Sequence, residues 1–281
     1  MNPRNIALTG VPRAGTTLAC RLLGQCRHSV ALFEPMPVLT LPRDHRLALE
    51  QVLDFYRSVR TRIAREHTAP SKVRGGTVPD NLYGETGSDG TRPLLAHPGE
   101  LHVAPDLPAD FTLTIKHNAA FTALLPDLAT QLDTFAIVRN PLAVIASWQS
   151  VDIPVQQGRV PAGERLDAGL ASRLDASDDV LERQLWVLDW FFRQYRAHLP
   201  MQHVLRYEDI VASQGAVLYS RIGMDCPADS TLRTHDPLSR RDAAAVDAVR
   251  RALRAFPGAW RHWYDPAEID AAPAAPPGAS G

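Results

Sequence analysis

Gly10-Val11-Pro12-Arg13-Ala14-Gly15-Thr16-Thr17 is a glycine-bounded turn. It joins an apolar run, Asn5 to Thr9, to a helical pattern of Leu18, Leu22 and Leu23. Such a turn aims backbone N–H groups and a helix N-terminus at an anion, so it reads as a phosphate cradle. The common nucleotide loop places Lys directly after its second Gly, then Ser or Thr. Here Thr16 holds the Lys position and the loop's cation is Arg13. A cradle with its cation moved points to a phosphate ligand other than ATP with magnesium. Downstream, Asp133 to Val138 reads as a buried strand running into Arg139-Asn140-Pro141. Pro141 suits the first turn of a helix, on which Ser147 follows. A guanidinium offers paired donors to a phosphate, and a hydroxyl adds one more. Glu34 closes a short strand, Ser29 to Phe33, and Lys116 closes another, Phe111 to Lys116, with His117 beside it.

Gly10 to Thr17 resembles the 5′-phosphosulfate loop of sulfotransferases that use 3′-phosphoadenosine-5′-phosphosulfate (PAPS), in the branch containing the tyrosylprotein and many bacterial enzymes. The resemblance implies that Pro12, Arg13, Ala14, Gly15, Thr16 and Thr17 hold the 5′ end of PAPS. The family usually has Ser where this chain has Ala14, which removes one hydroxyl contact but no backbone donor. Arg139 and Ser147, eight positions apart, resemble the family's 3′-phosphate site. Arg206-Tyr207-Glu208-Asp209 resembles a segment whose Tyr approaches the adenosine or a phosphate. Phe33-Glu34-Pro35 is similar to the site of the family's catalytic Glu, and Lys116 to its catalytic lysine, which contacts the sulfuryl group and the leaving phosphate. Small-molecule members place a His two positions after that lysine. His117 follows Lys116 directly, and one residue's shift on a strand turns a side chain to the other face. Glu34 therefore ranks ahead of His117 as base, and His117 stays as the alternative because its ordinary pKa suits proton transfer. Arg254 to Arg261 is weakly similar to a segment that closes over the 3′-phosphate. The resemblance implies a P-loop-like sulfotransferase fold and catalysis without a metal.

Sulfuryl transfer needs a base for the acceptor's proton and cations for the bridging oxygen as it gains charge. The activity implied is transfer from PAPS to the hydroxyl of a peptide tyrosine or of a phenolic or hydroxylated metabolite. Two other readings stay open. A diverged P-loop kinase or NTPase is opposed by Thr16 in the Lys position and by the lack of a Walker-B-like strand ending in Asp. A non-catalytic nucleotide-binding relative would not need Glu34 or Lys116.

The chain has 281 residues, enough for one α/β domain with a large core. A net charge of −1 speaks against broad nucleic-acid or membrane-surface binding. Cys20, Cys26 and Cys226 form no CxxC pair and no evident disulfide framework, which fits a reducing compartment. A first strand from Asn5 leaves no room for a leader, and no apolar run approaches spanning length. The expected location is cytoplasmic. The histidines show no metal spacing. Helices are predicted at 44–67, 119–131, 177–199, 209–222 and 241–255, and a short strand at 202–205. Residues 68–110 and 151–176 read as loops, both expected to be substrate or lid segments. The alternation predicts an α/β fold: a single domain over 1–265 with a central parallel sheet flanked by helices, and a disordered tail over 266–281.

Overall fold

The computed structural model describes residues 3–82, 84, 93–226, 232, 238 and 242–271. The chain opens with β1 (Asn5–Gly10), α1 (Thr16–Gly24) and β2 (Ser29–Phe33). Helix α2 (His45–Glu66) follows, then β3 (Thr68–Val73), β4 (His97–His102) and β5 (Thr112–Lys116). Next come α3 (Ala119–Ala123), α4 (Leu125–Gln131), β6 (Asp133–Val138) and α5 (Pro141–Trp148). The second half holds α6 (Pro161–Leu166), α7 (Ala168–Asp175), α8 (Val180–His198) and β7 (Val204–Arg206). It closes with α9 (Tyr207–Ala212), α10 (Ala216–Ile222), α11 (Ala243–Ala255) and α12 (Pro266–Asp270).

Five strands form one sheet in the order β2-β5-β1-β6-β7, with every pairing parallel. The strands are apolar on both faces because helices cover both. In β1, Ile6 and Leu8 pack into one core cluster with α1, α9 and α10, and Ala7 packs into the other with α2 and α8. Helix α2 is fastened to the sheet where the buried Tyr56 hydroxyl donates to Ile6 O at 2.7 Å. Its start is set by Asp44, whose side chain accepts from Leu47 N–H.

Four expectations need correction. Residues 68–110 are not one loop: β3 and β4 pair antiparallel, Thr68 opposite His102. The two strands lie more than twenty residues apart and carry no apolar alternation, so local pattern misses them. Residues 83 and 85–92 of that segment lie outside the described residues. Residues 151–176 are mostly helical. Leu166, Leu170 and Leu174 fall at i, i+4, i+8 and are all buried, and Asp167 caps α7 through Leu170 N–H. The predicted tail begins too early, since Pro266–Asp270 folds as α12 under a reciprocal Asp265–Glu268 capping box. Residues 272–281 lie outside the described residues. Finally, Cys26 and Cys226 are joined by a disulfide across a separation of 200 residues, which leaves Cys20 as the buried free thiol. The cysteine argument for a reducing compartment therefore falls. Among the described residues no helix is long and apolar enough to cross a membrane.

Candidate active site at the C-terminal edge of the sheet

Each strand of the sheet delivers one group at its C-terminal end. In sheet order these are Glu34 after β2, Lys116 ending β5, the Gly10–Thr17 turn after β1, Arg139 after β6 and Tyr207 after β7. Adjacent strands lie about 4.8 Å apart, so the edge lines up residues far apart in sequence. All five groups line one cavity of about 920 Å³. That is where ligands sit in open parallel sheets.

The turn after β1 has the backbone of an anion cradle. Gly15 precedes α1 at φ +87°, and no side chain caps the helix. The first-turn N–H groups of α1 have no intrahelical acceptor and remain for a ligand. A Cβ on Gly15 would lie 2.3 Å from the Tyr207 ring, so only glycine lets the tyrosine close against the loop. Arg13 is also left-handed, at φ +70°. A non-glycine residue in that region marks strain held by its surroundings. Trp148, fully buried on α5, donates to Pro12 O at 2.8 Å and ties the turn to that helix. Ala14 is fully buried and does not line the cavity.

The two segments expected from the sequence to hold phosphates meet. Arg13 Nε donates to Ser147 Oγ at 3.1 Å, so Ser147 lies against the loop cation. Arg139, 6 % exposed, stacks its guanidinium 4.4 Å from the Tyr207 ring centroid, a cation–π contact that fixes its direction. The 206–209 segment divides its roles. Tyr207 lines the cavity, whereas Glu208 accepts from Asn140 N–H and from the Tyr264 hydroxyl, each at 2.9 Å, and is structural. Arg206 pairs with Glu268 at 2.6 Å. Arg254 and Arg261 are turned elsewhere: Arg254 pairs with Asp270, and Arg261 donates to carbonyls at the end of α11.

At the other end of the line Glu34 holds φ +45°, and its N–H donates to Lys116 O at 3.0 Å. This turn swings the carboxylate onto two ammonium groups. Lys116 Nζ, 1 % exposed, lies 2.7 Å from Oε1, and Lys72 Nζ lies 2.5 Å from Oε2. Sequence reasoning missed Lys72. It stands on β3, and that hairpin is pinned to the sheet where Ser71 Oγ accepts from Phe33 N–H at 3.0 Å. Burial alone would raise the Glu34 pKa. Attraction by Lys116, then Lys72, overrides it and holds the carboxyl well below the usual range. Burial lowers the Lys116 pKa, opposed by Glu34. His117 is pushed down to about 3, chiefly by burial. Its Nε2 accepts from Met36 N–H at 3.2 Å, so the neutral ring orders the segment after Glu34. Among the described residues no group of His, Cys, Asp and Glu is placed to hold a metal ion.

Fold and site together define a parallel α/β protein with an anion cradle, a guanidinium–aromatic pair and a lysine-clamped carboxylate on one edge. No family model matches the chain, and no curated protein matches it. Among solved structures it is similar to sulfotransferase STF1 from Mycobacterium tuberculosis H37Rv, at 15% identity and a TM-score of 0.39. That likeness covers 91% of this chain and 78% of the other. It is also similar to a sulfotransferase from Alicyclobacillus acidocaldarius, at 12% identity and a TM-score of 0.43, over 91% of this chain and 92% of that one. At these distances the case for function rests on the site's own residues.

Proposed function

We propose that this chain is a sulfotransferase that moves a sulfuryl group from PAPS to an acceptor hydroxyl, of a peptide tyrosine or of a phenolic or hydroxylated metabolite. One observation carries the reading: the order Glu34, Lys116, cradle, Arg139, Tyr207 across the sheet edge. It sets a proton acceptor and a buried cation on one side of an anion site, and a guanidinium beside an aromatic ring on the other. A donor with two anionic ends and an adenosine fits that order. The α1 N-terminus and Arg13 would hold its 5′ end. Arg139 would take its 3′-phosphate, with Ser147 behind Arg13, and Tyr207 would flank the nucleoside. PAPS, when bound, supplies a sulfuryl group whose leaving group is a phosphate.

The two lysines divide their work in this reading. A carboxylate between two ammonium groups is a weak base, so one must give way. Lys116 ends the strand beside β1, opposite Leu8, and is the cation positioned for charge that develops at the cradle. Lys72 keeps Glu34 ionised at neutral pH. Glu34 then takes the acceptor's proton. In this reading His117 is the poorer base, because its Nε2 lone pair is engaged by Met36 N–H and burial makes the ring hard to protonate.

Two measurements test the proposal. Adenosine 3′,5′-bisphosphate should raise the melting temperature, by about 2.7 kcal/mol of stability at one hundred times its Kd, while ATP with magnesium should not. Glu34→Gln should lower PAPS turnover about 100- to 10,000-fold and leave adenosine bisphosphate affinity unchanged. Equal protection by ATP would restore the kinase reading. Nucleotide binding with no turnover on any acceptor would restore the non-catalytic one.

A further inference from the structure

We infer that residues 263–268 form a clasp that positions the Arg139–Tyr207 pair from behind, and that Glu208, Tyr264 and Glu268 thereby set the affinity for the nucleotide's 3′-phosphate. The inference rests on the sulfuryl-transfer reading and adds positioning residues to its nucleotide site. Arg139 and Tyr207 line the cavity, and these three residues do not.

Tyr207 needs support from outside the sheet. It follows β7, a strand of three residues and the last in the sheet order, paired with β6. The register sets Val138 opposite Arg206, and there the ladder stops. One step on, the Arg139 guanidinium meets the Tyr207 ring. One step further, Asn140 N–H donates to Glu208 Oε1 at 2.9 Å. Backbone pairing thus ends just before the pair, and a side-chain bond takes over just after it.

Two carboxylates fasten both strand ends to the C-terminal segment. Glu208 turns its second oxygen to the Tyr264 hydroxyl, which donates at 2.9 Å. Burial, with Glu208 beside it, holds the Tyr264 pKa well above its ordinary value, so the hydroxyl keeps its proton. Glu268 accepts from Arg206 Nη2 at 2.6 Å, and its backbone carbonyl accepts from Asn140 Nδ2 at 2.6 Å. The Arg206 guanidinium lies 4.4 Å from the Tyr264 ring centroid. The residues on either side of Tyr207, and the residue after Arg139, are therefore bonded to one segment.

That segment is itself anchored. Tyr264 and Ile269 are buried in the core, and the Asp265–Glu268 capping box fixes the start of α12. Arg254 pairs with Asp270 at 2.5 Å and fastens α12 to α11. A guanidinium offers a phosphate two parallel donors only while its plane is held. Supporting bonds formed before the ligand arrives reduce the ordering that binding must supply.

The test uses calorimetry on the full chain with two nucleotides. Adenosine 5′-monophosphate lacks only the 3′-phosphate of adenosine 3′,5′-bisphosphate, so the ratio of their Kd values isolates that group's contribution. Wild type should bind the bisphosphate about 100-fold more tightly. Glu208→Ala should cut this ratio about tenfold and leave monophosphate affinity within about twofold. Glu268→Ala, which frees Arg206, should act in the same direction. Tyr264→Phe keeps the ring against Arg206, removes only the hydroxyl, and should cut the ratio about threefold. Glu208→Gln should restore it, because an amide can accept from Asn140 N–H and donate to the Tyr264 oxygen. Melting temperatures are read alongside. Variants that melt earlier but keep the wild-type ratio, or that lose both affinities alike, overturn the inference. Tyr264→Phe decides the matter if Glu208→Ala does not fold. Failure of the sulfuryl-transfer reading looks different: wild type itself shows no preference for the bisphosphate, and the clasp's role falls with it.

Discussion

Arg13 and Glu34 both stand in left-handed backbone that side-chain-bearing residues rarely adopt, and both line the cavity. Each spends conformational strain to present a charge. Arg13→Ala keeps the turn but removes the loop cation, and in steady-state assays its turnover should fall about 100- to 1,000-fold, as on loss of one preorganised donor. Lys72 makes a subtler prediction. Lys116 and Lys72 hold the Glu34 carboxyl below its ordinary range, so the wild-type acid limb of kcat/KM against pH lies below that range as well. Removing a neighbouring positive charge raises a carboxyl pKa. Lys72→Ala should therefore move the acid limb to higher pH. A hairpin lysine with only a packing role would leave the limb in place. The same sign holds for stability. A carboxyl depressed on folding stabilises the protein above its unfolded pKa, and that contribution is lost as pH falls through the folded value.

The start of α1 shows how an element's geometry constrains the site. Gly15 combines φ +87° with a Tyr207 ring that leaves no room for a Cβ. Gly15→Ala should lower the melting temperature, because the left-handed region costs an L-residue about 1–2 kcal/mol before any clash. It should also weaken adenosine bisphosphate binding in calorimetry, since the ring can no longer close on the loop. The hairpin of β3 and β4 is the complementary case. It joins the main sheet through Ser71 and Phe33, and it alone brings Lys72 to Glu34.

For the whole molecule, the Cys26–Cys226 bridge joins the end of α1 to the segment after α10, which pack on the same face of the sheet. It closes a loop of about two hundred residues, and in the chain-entropy account loops of this order are worth about 5 kcal/mol. Reduction, or Cys26→Ser, should lower the melting temperature by several degrees. Thiol counting under denaturing conditions should find one free cysteine, Cys20, before reduction and three after it.

The strands of the parallel sheet were legible in the sequence because each is a short apolar run bounded by turn residues. The candidate groups at their ends were legible because a strand end is a local event. Glu34, Lys116 and Arg139 each stand where an apolar run stops. Helices α6 and α7 also left a local signal, the spacing of Leu166, Leu170 and Leu174, hidden among prolines and glycines. Other features depend on contacts between distant residues, which no local pattern encodes. Lys72 reaches Glu34 through a hairpin closed from position 73 to 97. Cys26 and Cys226 are far apart until the sheet stacks α1 beside α10. The bond from Arg13 to Ser147 exists only because β1 and β6 are neighbours. Local chemistry named the groups, and tertiary packing decided their partners and their charge states.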